Sequence, residues 1–192
     1  MTKLAVDPEK SGVRIRTFAQ GLLSRLAHDL ELVCRGIEGT AERPSGAQSE
    51  RGSAELVVPI AKIDVAGTLK NGRVDPAGLS PSDREDVLRK MRREVFHADD
   101  GATSVVRIEA TLETGKETGK ARVRVVPPNG RAVERSVSVR LEPEGETGAR
   151  VSGSFELSLD AIGSDPVKGP MNAFRVKDSV EVLFDVVFTA PR

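Results

Sequence analysis

Alternation with a period of two residues runs through most of this chain and is interrupted once by a helical stretch. Between Gly130 and Leu141, the apolar residues Val133, Val137, Val139 and Leu141 alternate with Ser136, Ser138 and Arg140. Between Gly148 and Leu159, Val151, Phe155, Leu157 and Leu159 alternate with Ser152, Ser154, Glu156 and Ser158. Successive side chains of a strand point to opposite faces, so this pattern puts one face in a core and the other in water. A chain built mainly of such strands must close them or stack them to hide the apolar faces and the sheet edges.

The same rhythm predicts strands over Gly12 to Ala19, His28 to about Thr40, Ser53 to Ile60 (resuming at Ile63 to Val65), Thr103 to Glu113, Lys120 to Val126 and Ser179 to Thr189. Gly21 to Ala27 reads as a turn or short helix, and Ala41 to Gly52 and Gly67 to Gly78 read as loops. After the second loop, Ser80 followed by Pro81 forms a helix start, with Asp83, Glu85 and Asp86 in the first turns and Arg89, Lys90, Arg92 and Arg93 late. Val87, Leu88, Met91 and Val95 share one helical face, which predicts an amphipathic helix from Pro81 to about Phe96. About eight strands close into a barrel whose interior is either filled by side chains or holds one small ligand.

With 192 residues the chain supports one domain, 1–192, with a substantial core. Twenty-nine basic and 29 acidic residues give no net field toward nucleic acid or an anionic membrane. Six Phe, with no Tyr or Trp, offer no stacking platform, so nucleic acid is not an expected partner. No segment approaches the ~18 apolar residues of a membrane span, which argues against stable membrane insertion. The opening MTKLAVDPEK holds no apolar run of signal-peptide length. The expectation is a cytoplasmic protein, or a periplasmic one if a leader has been trimmed.

Catalytic patterns are sparse. His28 and Asp29 are neighbours on a strand and point to opposite faces, so they do not form a catalytic pair. His28 reads as a strand-start residue, with a place at a tunnel mouth as the sharper alternative. No His, Cys or carboxylate spacing gathers a metal site. The single Cys34 excludes an internal disulfide and reads as a small buried hydrophobe. Gly115 to Lys120 is one residue short of a phosphate loop and is followed by Ala121 and a strand. Neither G-x-S-x-G nor G-x-G-x-x-G occurs. No cofactor is implied, and an enzyme is not expected.

Taken in order, the motifs of this chain resemble the YceI-like family of lipid-binding barrels. They are Ser11-x-Val13-x-Ile15, the run from Gly21 through Leu-Ala-His28-Asp29-Leu30-Glu-Leu32, and Glu55-Leu-Val-Val-Pro-Ile60. The helix Asp83 to Val95, Phe155-Glu-Leu-Ser-Leu-Asp-Ala-Ile-Gly163, Val176-Lys-Asp178 and Val180 to Phe188 complete the match, which spans nearly the whole chain. The resemblance implies an all-β, antiparallel eight-stranded lipocalin-like barrel with one amphipathic helix between its early and late strands. It also implies an apolar tunnel for a long isoprenoid or quinone-type lipid. The chain departs from the family in lacking an export signal and in carrying Val125 to Gly130 where relatives commonly have a different turn.

The expected tunnel wall is Val13, Ile15, Leu30, Leu32, Leu56, Val58, Ile108, Val137, Val139, Phe155, Leu157, Val182 and Phe184, with His28 at the mouth. The basic helix face reads as a solvated surface, or as a contact for anionic head groups. Gly67 to Gly78, beside the helix, reads as a flexible lid. A homodimer is compatible with the sequence. The rival reading is a protein–protein interaction module with a filled barrel core.

Overall fold

The computed structural model describes residues 2–21, 28–43, 51–98, 104–114, 118–169 and 174–191. The first half runs through β1 (Thr2–Val6), β2 (Gly12–Thr17), β3 (Ala19–Gln20), β4 (Asp29–Arg35), β5 (Glu38–Arg43), β6 (Arg51–Pro59), β7 (Ile63–Lys70) and β8 (Arg73–Asp75). Helix α1 (Pro81–Lys90) follows. The second half holds β9 (Val105–Thr114), β10 (Thr118–Val126), β11 (Val133–Glu144), β12 (Gly148–Ser158), β13 (Arg175–Val176) and β14 (Ser179–Thr189).

The pairing closes. Strand order β1-β5-β6-β9-β10-β11-β12-β14 returns from β14 to β1, an antiparallel circuit of eight strands. From β14 the sheet also continues through β2, β4, β7 and β8. The stretches β1–β2 and β4–β5 are therefore interrupted walls: β1 and β2 both pair with β14, and on their other side β1 pairs with β5 and β2 with β4. β6 and β7 instead part company: β6 follows β9, while β7 leaves it for β4 and β8.

Three expectations about the early strands are corrected. The strand predicted from His28 to Thr40 breaks after Arg35, where Gly36 adopts φ 72° and turns the chain before β5. The loop predicted over Ala41 to Gly52 is strand at both ends, since Ala41 pairs with Leu4 and Gly52 with Leu112; residues 44–50 lie outside the described residues. The loop predicted over Gly67 to Gly78 is largely a hairpin. Leu69 pairs with Val74, and Asn71 and Gly72, both at positive φ, make the tight turn. The Arg84 guanidinium of α1 donates to the carbonyls of Val65 and Pro76 and pins this hairpin to the helix. The predicted turn at Gly21 to Ala27 falls outside the described residues except for Gly21.

The helix begins as its sequence dictates. The Ser80 side chain accepts the Asp83 N–H at 3.2 Å, Pro81 opens the first turn, and Arg89 and Lys90 close the last. It then widens into a π-helical turn over Met91–Val95, in which the Phe96 N–H reaches the Met91 carbonyl. The predicted helix length is right, and only the hydrogen-bond spacing of its end differs. Val87, Met91 and Val95 face the barrel interior. Among the described residues no helix is long and apolar enough to cross a membrane.

Candidate functional site

The barrel surrounds a cavity of about 1090 Å³. Its wall includes Val180, Val182, Phe184, Val186 and Phe188, one whole face of β14. Eight strand steps separate Val180 from Phe188, about 27 Å at the usual rise, so the space runs nearly the full length of that strand. Solvent-exposed residues line it at both ends. His28, Asp83 and Lys168 lie at the end covered by α1, and Glu42, Gly145 and Glu146 lie at the end formed by the β11–β12 hairpin. It is thus a tunnel with two mouths.

The strands for which wall residues are expected present those residues to the cavity, with one exception on β11. β2 contributes Val13 and Ile15, β4 contributes Leu30 and Leu32, and β6 contributes Leu56 and Val58. Ile108 of β9, Val139 of β11, Phe155 and Leu157 of β12, and Val182 and Phe184 of β14 complete the expected set. His28 is exposed and sits at the helix end of the tunnel. Val137 is the exception: only 2% exposed, it is packed among the buried interior side chains and does not reach the cavity surface.

Beyond the expected Phe155 and Phe184, the wall also takes in Phe18, Phe96, Phe174 and Phe188. All six phenylalanines of the chain, Phe18, Phe96, Phe155, Phe174, Phe184 and Phe188, line the tunnel. Phe155 and Phe184 pack as a tilted pair with ring centroids 6.3 Å apart. Gly153 lies in the gap that their strands leave in the apolar alternation; a Cβ there would strike the Phe184 ring and the Ser138 carbonyl. The scarcity of aromatic residues combined with their placement on apolar strand faces was the available signal for Phe188. Phe18, Phe96 and Phe174 sit in connections, where periodicity is silent.

The helix end is built from two pieces. On one side lies α1, and on the other a flap over residues 167–169 and 174–176, closed by Val176 N–H to Val167 O and Gly169 N–H to Phe174 O bonds of 2.9 Å. The flap pairs with β3, and the Lys90 ammonium of α1 donates to the Lys168 carbonyl at 2.7 Å. Farther along the helix, the Glu94 carbonyl accepts the Asp165 N–H at 2.8 Å, and the Asn129 side chain donates to the His97 carbonyl. Asp29 does not serve His28. Its carboxylate accepts the Ala19 N–H at 2.9 Å and fixes β3 beside the mouth.

The outer wall at this end carries one partly buried charged row. Arg16, between Glu31 and Glu181 on adjacent strands, lies 2.8 Å from the first and 3.3 Å from the second. These contacts, that to Glu31 foremost, raise the Arg16 pKa and keep it charged. Cys34 is wholly buried in the interior cluster with Leu32, Ile60 and Ile63, and burial pushes its thiol up to about 11. That is the environment of an inert packing residue. Among the described residues no group of three or more His, Cys, Asp or Glu is placed to hold a metal ion.

No protein-family model matches this sequence, and no curated protein matches it. The fold does have a counterpart among solved structures. It is similar to the crystal structure of Burkholderia cenocepacia BcnA, with a TM-score of 0.63. The barrel is lipocalin-like. The match covers 95% of this chain and 98% of that one at 15% sequence identity, so the likeness is one of fold.

Proposed function

We propose that this protein is a YceI-like lipid-binding barrel that holds a long apolar chain, of isoprenoid or quinone type, in its tunnel and carries or sequesters it without altering it chemically. The observation that carries this reading is the open, hydrocarbon-lined space of about 1090 Å³. Ligand pockets commonly occupy ~300–1,000 Å³, and an eight-stranded barrel has the option of filling its interior with its own side chains. The motif order of the sequence and the lipocalin-like fold support the same reading.

Apolar burial is sufficient for affinity. Each CH₂ removed from water contributes roughly 0.8 kcal/mol, so a tail of a few isoprene units gains on the order of 10 kcal/mol gross. Several of those are lost to association and ordering, which leaves binding in the micromolar range or tighter. The polar groups of the wall gather at the two mouths, where a ligand's head would sit; His28 offers one hydrogen-bonding group there. The rival reading, an interaction module with a filled core, is disfavoured by the same open volume.

Organic extraction of gently purified protein followed by mass spectrometry is the direct test. A prenyl compound recovered near one per chain, or saturable uptake of an added long-chain quinone, is the expected result. A clean extract together with no quinone uptake would sink the proposal.

A further inference from the structure

The two mouths of the tunnel carry different charge. At the hairpin end the charged wall residues are Glu42, Glu142 and Glu146. At the helix end the charged wall residues are Asp83, Asp86, Lys90 and Lys168, and outside them Arg89 and Arg93 border a surface indentation of about 380 Å³ together with Lys90, Glu94 and Asp165. Lys168, whose carbonyl accepts the Lys90 ammonium, shares this mouth, and Arg175 and Lys177 are exposed beside the wall residues Phe174 and Val176.

The acids at the helix end are in part paired and in part hydrogen-bonded to neutral donors. Asp86 pairs with Arg89 and Asp165 lies 3.4 Å from His97, whereas Asp83, which accepts the Ser80 hydroxyl at 2.6 Å, and Asp178, which accepts the Asp160 N–H at 2.8 Å, keep their charge. Among the described residues Glu85, Glu94 and Asp160 have no cationic partner. Among the described residues, Lys90, Arg93, Lys168, Arg175 and Lys177 have no carboxylate partner. Inside this rim stand three half-buried rings, Phe18, Phe96 and Phe174. An apolar centre beside cations that make no ion pair is a feature of surfaces that rest on anionic bilayers.

We propose that the helix end of the barrel docks on an anionic lipid bilayer, with the tunnel mouth against the membrane and the acidic hairpin end turned away. The inference rests on the tunnel being a lipid site. A chain of zero net charge is oriented at such a surface by the separation of its charges, not by their sum. Docking in this pose lets an apolar tail pass between bilayer and barrel without crossing water, which removes the largest cost of exchange.

The test is flotation of the full chain with vesicles of phosphatidylcholine alone, or with about one third phosphatidylglycerol. Binding is expected only to the anionic vesicles, weakening as salt rises from about 0.05 to about 0.5 M. The rim variant Arg93→Glu/Arg175→Glu/Lys177→Glu, which replaces no wall residue, should bind about tenfold or more weakly. A charge-matched variant on the outer barrel wall, Arg107→Glu/Lys120→Glu/Arg122→Glu, should bind like the original chain. Equal binding to neutral vesicles, no binding, or an equal loss in the two variants would overturn the docking. Uptake of a fluorescent prenyl probe without vesicles separates the two ideas: retained uptake with absent docking rejects only the docking, and absent uptake rejects the tunnel reading itself.

Discussion

The side chain of Ser11 stands in for a backbone residue opposite Val187. On this edge of β14, Val6 pairs with Phe188 and Gly12 with Asp185, so residues 7–11 face only residues 186–187. The first wall strand therefore bulges. The Ser11 hydroxyl accepts the Val187 N–H at 3.0 Å and lies 3.5 Å from the Val187 carbonyl, which also takes the Asp7 N–H at 2.8 Å. A buried backbone group left without a partner costs free energy comparable to a lost hydrogen bond. Ser11, 5% exposed, removes that cost at the point where β1 gives way to β2 and the barrel closes.

Ser11→Ala should accordingly destabilise the fold by about 1–3 kcal/mol, because the Val187 N–H stays buried with nothing to accept it. Urea unfolding measures the change, and a midpoint equal to that of the original protein would show that water replaces the hydroxyl without loss.

Filling the tunnel should separate binding from folding. Leu32→Trp on β4 and Leu157→Trp on β12 each place a large ring in the space that the tail needs. Quinone uptake should fall at least about tenfold, while overpacking costs roughly 1–3 kcal/mol of stability. Unchanged uptake in a variant with native circular dichroism would mean that the ligand lies elsewhere.

Arg16→Leu should be among the costlier wall substitutions. It leaves Glu31, whose side chain is 6% exposed, without its cation. Removing one partner of a fully buried pair costs ~3–5 kcal/mol, and the partial exposure of Arg16 lowers the expectation to about 2–3 kcal/mol. A loss under about 0.5 kcal/mol in chemical denaturation would place the row among ordinary surface pairs.

Cys34 gives a pH signature. Its thiol ionises at about 11 in the folded chain and nearer its ordinary value of 9.0 when unfolded. Raised in the native state, it contributes stability that is whole below about pH 9 and is lost as pH climbs through 11. Stability measured from pH 8 to 11 should fall less steeply in Cys34→Ala than in the original chain. In the native protein at pH 8 the thiol should also resist thiol reagents until denaturant is added. Rapid native labelling would contradict its burial.

The period-two pattern made the barrel wall legible before its geometry was known. Ile15, Leu32, Ile108 and Val182 could be assigned to one interior because each sits on the apolar face of a long strand. The pattern failed where the chain leaves regular pairing. Gly36 breaks a strand that its neighbours would continue, and the hairpin of β7 and β8 hid within a segment rich in Gly, Asn and Pro. Val137 shows a finer limit: alternation says that a side chain points inward but not whether another side chain stands in front of it.

What the sequence determined by itself is the sidedness of the strands, the start of the helix at Ser80, and the absence of familiar catalytic spacings. Those are local properties, set by the alternation of Cβ directions and by the hydrogen bonds of one helical turn. Tertiary structure alone decided that the interior is open, that all six phenylalanines meet on one surface, and that the cations of α1 share a mouth with Lys168 and Arg175. Enclosed volume depends on how many strands close the ring and on which chains of side chains meet across it, and both are fixed by contacts between residues far apart in sequence.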